Sequence, residues 1–145
     1  MAVQLPPTAT NSNVLRRALQ ANGLFSAVNG VVLAVLPTQV SSFLGLDMPG
    51  LMNFLGAGLI GFAVALFWLA AEPRIRRSLA LAVILLDVAW VVDSILLLVT
   101  DIVPLTIHGM WAIAIVSGMV ASLAALQSYG LRRSYDTPQP VASRA

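Results

Sequence analysis

Four long apolar runs separated by short polar breaks organise this chain of 145 residues. They cover roughly residues 14–36, 51–71, 79–99 and 105–127. Each is about as long as the ~20 residues a helix needs to cross a ~30 Å hydrocarbon core. Between the first two runs, residues 37–50 read PTQVSSFLGLDMPG, with Val40, Phe43, Leu44 and Leu46 set between turn formers. That pattern predicts a short amphipathic helix lying in the membrane interface. The chain therefore reads as an all-α integral membrane protein: an antiparallel bundle of four transmembrane helices, with a short interfacial helix between spans one and two. Residues 14–128 form one membrane domain. The polar, proline-containing ends, 1–13 and 129–145, are expected to be disordered tails, with Asn13 capping the first helix.

The polar residues inside the runs are few and placed. In the first run Asn22, Ser26 and Asn29 recur at i, i+4 and i+7 and share one helical face. The third run, LALAVILLDVAWVVDSILLLV, carries Asp87 and Asp93 about 3 and 6 Å from its centre. Each acid costs about 2.5–3.5 kcal/mol on the insertion scale. The fourteen Leu, Ile and Val residues of the run return about 0.3–0.6 kcal/mol each, so insertion is near break-even. On a helical wheel Asp87, Trp90, Asp93 and Ser94 fall within an arc of about 120°, one polar face that should point into the bundle. Spans one and three run the same way, so Asp87 comes level with Asn22 and Ser26, and Asp93 with Asn29. A tight turn between spans three and four would bring Asp93 level with His108 and Asp87 level with Ser117 and Gly118. The expected cluster is Asn22, Ser26, Asn29, Asp87, Trp90, Asp93, Ser94 and His108, with an Asp93–His108 pair as its most specific element.

Small residues at four-residue spacing form two further patterns. Ala57, Gly61 and Ala65 lie in the second run, and Ala114, Gly118 and Ser122 in the fourth. Both are expected to be helix-packing faces.

Composition and charge add topology. The chain is 59% hydrophobic and 10% charged, outside the range of soluble domains. All eight basic residues are arginines. With four spans they fall on one side: Arg16 and Arg17, then Arg74, Arg76 and Arg77, then Arg132, Arg133 and Arg144. The opposite connections carry Asp47 and Asp101. By the positive-inside rule both termini are cytoplasmic, in a bacterial-type inner membrane. Arg16 and Arg17 ahead of an apolar stretch resemble a signal peptide, but polar residues inside the stretch argue against cleavage. The basic balance is a topology signal here, and no nucleic-acid partner is implied.

Most chemistries find no support. There is no cysteine and one histidine, His108, so paired haem ligation and thiolate metal sites are excluded. Glu72 is the only glutamate, so a di-metal carboxylate bundle is excluded too. No catalytic or nucleotide-binding motif is present. No cofactor or metal is expected, and a non-catalytic role is favoured.

The stretch Asn22 to Gly30, the segment LLDVAW and the C-terminal QSYGLRR resemble four-span bacterial membrane proteins. That resemblance implies an architecture and no activity. Two functional readings follow. In one, the intramembrane acids bind a small or lipidic ligand or relay a proton. In the other, the chain is a non-catalytic accessory or assembly subunit of a larger membrane complex, with its glycine-rich faces as docking surfaces. The polar face is then hydrogen-bonding glue between helices. A homo-oligomer is what a transport role would need. The lipid bilayer is the expected partner in both.

Overall fold

The structure, a computed structural model, describes residues 9–100 and 102–135. Among them it is all-helical: α1 (Ala9–Val35), α2 (Pro37–Leu44), α3 (Pro49–Ala71), α4 (Arg77–Val99) and α5 (Ile107–Tyr135). Helices α1, α3, α4 and α5 are long and apolar enough to cross a membrane. The expected four-span bundle with a short helix between its first two spans is what the chain forms.

Two boundaries differ from the apolar pattern. Helix α1 starts at Ala9, so Asn13 lies within it and does not cap it. Helix α5 runs on to Tyr135, past the end of the fourth apolar run. Packing explains the extension. Leu15 and Leu131 are both buried, and the backbone of Leu15 lies close against Gly130. The guanidinium of Arg133 also lies 4.9 Å over the Tyr129 ring, a cation–π contact along the last turns. The rest of the two expected tails, residues 1–8 and 136–145, lies outside the described residues.

Helix α1 is the centre of the bundle. It packs on α3 along one side and on α5 along another, while α4 packs chiefly on α5. The α1–α3 crossing is close because both helices place glycine there. A Cβ on Gly56 would stand 2.8 Å from the carbonyl oxygen of Gly30 and the amide nitrogen of Ala34. One on Gly30 would stand 2.9 Å from the oxygen of Gly56. Only residues without side chains let the two backbones meet at this distance.

At one end, the termini side and the α3–α4 connection come together. Arg16 donates to the carbonyls of Ala70 and Glu72, satisfying free acceptors at the C-terminus of α3. Leu15, Leu19, Leu66, Leu69, Ala80, Val83, Ile84 and Leu131 pack there into a continuous apolar core drawn from all four long helices.

At the other end, α2 ties the connections together. Pro37 opens α2 at a position where its missing N–H costs nothing. Gly45 closes it at φ +88°, and the N–H groups of Gly45 and Leu46 return to the carbonyls of Ser42 and Ser41. The Ser41 hydroxyl donates to the Leu46 carbonyl and accepts from the Met48 N–H at 2.8 Å. Thr106 then docks the start of α5 on α2. Its hydroxyl donates to the Phe43 carbonyl at 2.5 Å and accepts from the Gly109 N–H at 2.9 Å. Its own N–H reaches the Leu44 carbonyl at 3.0 Å. The segment after α4 is thus not the expected tight turn: it crosses to α2 before α5 begins.

Candidate functional site

Asp87 sits midway along α4 and is 4% exposed. The face that carries it also carries Val83, Ile84 and Ser94, the other buried positions nearest it on this helix. Two amides meet its carboxylate. Asn22 of α1 donates from Nδ2 to Oδ2 at 2.7 Å, and Gln127 of α5 donates from Nε2 to the same oxygen at 3.1 Å. Three helices are therefore joined at one oxygen atom. Asn22 is in turn steadied by Ser26, whose hydroxyl lies 3.5 Å from Oδ1 of Asn22. The second carboxylate oxygen of Asp87, Oδ1, accepts no hydrogen bond among the described residues and is not sealed from the surface. Gln127 is fully buried, and its Oε1 has no partner among the described residues.

Beyond Asp87, away from the apolar core, the bundle opens. Ala80, Val83 and Ile84 of α4 share that core with Leu66, Leu69 and Ala70 of α3. Further along, the two helices flank a cavity of about 810 Å³ instead. Asn22, Phe25, Ser26 and Asn29 line it from α1, and Met52, Leu55, Leu59 and Phe62 from α3. Asp87, Trp90, Asp93, Ser94 and Leu97 line it from α4, and Ile113, Val116, Ser117 and Val120 from α5. Val40, Phe43 and Leu44 of α2 form its outer end. The volume is that of a site for a drug-sized or lipid-like molecule, apolar with a few polar groups.

The structure brings together part of the expected cluster. Asn22, Ser26 and Asp87 join directly, and Asn29, Trp90, Asp93 and Ser94 share the cavity wall with them. Their polar groups differ in what is left over. The Ser94 hydroxyl is spent on the Trp90 carbonyl of its own helix, and the Asn29 amide on the Phe25 carbonyl. Asp93 is exposed and has no hydrogen-bond partner among the described residues. The Asp93–His108 pair does not form. His108 is exposed and its ring lies 6.2 Å from that of Phe43, tilted by 42°. The physical reason is the docking of Thr106 on Phe43 and Leu44, which carries the start of α5 toward Phe43 rather than Asp93.

The same docking sets the register of α5. Gln127, rather than Ser117 or Gly118, reaches Asp87. Gln127 was missed because it stands at the end of the apolar run. A signal for it was present: Val120, Ala124, Gln127 and Leu131 follow helical spacing and are all buried.

Both small-residue stripes face outward. Ala57, Gly61, Ala65, Ala114, Gly118 and Ser122 are all exposed, and a Cβ on Gly61 or Gly118 would meet nothing within 4 Å. Within this chain the close contacts fall instead to Gly30, Gly56, Gly109 and Gly130. Among the described residues no three His, Asp or Glu side chains cluster as metal ligands.

Fold and site together define a small multi-pass helical membrane protein with a buried acid at the floor of an intramembrane cavity. Compared with protein-family models, curated proteins and solved structures, the chain matches none.

Proposed function

We propose that the protein holds a small amphipathic or lipidic molecule in this cavity, with the polar end of the ligand at Asp87. The observation that carries the reading is the cavity of about 810 Å³ with Asp87 at its inner end. A carboxylate inside a membrane span is costly, and here one of its oxygens is held by two amides while the other accepts no hydrogen bond among the described residues. Binding is favoured over proton relay by what lies behind Asp87. Toward the arginine end Leu15, Leu19, Leu66, Leu69 and Leu131 belong to an apolar cluster whose residues include no titratable side chain. The membrane is a bacterial-type inner membrane with both termini cytoplasmic, on the strength of the one-sided arginines.

Photolabelling tests this reading. The protein would be reconstituted in nanodiscs with a long-chain alcohol bearing a diazirine, and the labelled residues mapped by mass spectrometry. Saturable labelling near Phe25, Leu59 and Ile113, reduced when Val116→Trp fills the cavity, is the expected result. Labelling without saturation, concentrated on outward residues such as Phe54 and Ile102, would sink it; these are 75% and 82% exposed.

A second reading has an observation of its own. The outward stripes at Ala57/Gly61/Ala65 and Ala114/Gly118/Ser122 suit close approach by another membrane helix. In this reading the chain is an accessory subunit or a homo-oligomer. Gly61→Leu and Gly118→Leu clash with nothing inside the chain. They would dissolve such an assembly, seen by native mass spectrometry, and leave the single-chain fold intact.

A further inference from the structure

The groove wall holds two carboxylates, Asp87 and Asp93, and no arginine or histidine. Six residues apart on one helix, they stand about 9 Å apart along its axis. Trp90 lines the wall between them. Asp87 is almost wholly buried, and the two amides that hold it both donate to Oδ2, leaving Oδ1 without a donor. Arg16, on the far side of the packed core, is engaged with the carbonyls of Ala70 and Glu72.

These charges select the head of an occupant. A carboxylate or phosphate lowered into the groove would face two acids, with no base to neutralise it and little water to screen it. A neutral head would leave the open oxygen of Asp87 with at most one ordinary hydrogen bond. A cationic head with N–H groups meets an opposite charge at either acid and donates to Oδ1 of Asp87. The indole of Trp90 adds a cation–π surface on the way in. The remaining wall, with Phe25, Phe62, Leu59 and Val116, takes an apolar body.

Resting on the reading of the groove as a ligand site, we infer that its occupant is a lipophilic amine: one cationic head at Asp87, with the charge of Asp93 further along the wall adding to its attraction, on an apolar body. A phospholipid is the wrong chemistry even where its head carries an amine, because its phosphate finds no base in the groove.

The test is displacement of the diazirine alcohol from protein in phosphatidylcholine nanodiscs. Three competitors share one chain and differ in the head: dodecylamine, dodecanol and dodecanoate. Dodecylamine is expected to displace the probe at concentrations roughly tenfold or more below the other two, an advantage lost in Asp87→Asn and reduced in Asp93→Asn. Equal displacement by all three heads would overturn the cationic assignment and leave the groove site standing. Absence of any saturable probe labelling in the wild type would overturn both. If Asp87→Asn does not fold by gel filtration, Asp93→Asn decides alone. Its acid is exposed and makes no hydrogen bond, so the variant is expected to fold, and an unchanged preference for the amine there contradicts the inference.

Discussion

The two ends of this bundle are built from the same helices and differ in how the helices meet. At the arginine end α1, α3, α4 and α5 converge on Leu15, Leu19, Leu66, Leu69, Val83 and Leu131. At the other end α3 and α4 line a cavity, and Thr106 ties the start of α5 to α2. Apolar side chains line both ends. What differs is the polar seam between them. Asn22, Asp87 and Gln127 tie α1, α4 and α5 at one level. Below this seam the side chains interlock, and above it the wall carries polar groups whose own hydrogen bonds mostly run along their helices. One half supplies stability and the other supplies space.

Substitutions break this comparison in graded steps. Leu19 and Leu66 are both fully buried. Leu66→Ala in the packed half should cost about 2–5 kcal/mol, read as loss of thermal stability in detergent. Gly56→Leu forces a side chain onto the backbone of α1. It should cost about 3 kcal/mol, with loss of the monodisperse gel-filtration peak as the companion readout. At the seam, Asp87→Ala leaves the amides of Asn22 and Gln127 unsatisfied and should cost about 1–3 kcal/mol. Asp87→Asn keeps the shape and should cost less, in the same melting experiment. In the open half Leu97→Ala should cost about 1 kcal/mol or less, because its side chain faces a cavity rather than a packed core. Equal losses for Leu66→Ala and Leu97→Ala would erase the distinction between the two halves.

Much of this fold was legible from the chain. The apolar runs marked the four spans, and Pro37 and Gly45 bracketed α2. The Asn22–Asp87 bond followed from one rule, that polar faces in a membrane turn inward at matching depth. Gln127 was not legible by that route, because its register depends on the path of residues 102–106. That path is set by Thr106 bonding to Phe43 and Leu44, contacts between distant parts of the chain. His108 failed for the same reason. The outward stripes of Gly61 and Gly118 show a different limit. In a helix apolar all round, hydrophobicity does not choose a face, and small residues suit lipid as well as a neighbouring helix. Gly56 lies in the same small-residue run as Gly58 and Gly61, and only the crossing with Gly30 singles it out.

The central claim is that the cavity and the acid at its floor form one site. Infrared difference spectra on adding dodecylamine to lipid-reconstituted protein test it most directly. A carboxyl band that appears in the wild type and is missing in Asp87→Asn is the predicted result. Saturable binding with the same carboxyl spectrum in both proteins would contradict it, and would leave Asp87 as a structural tie between helices.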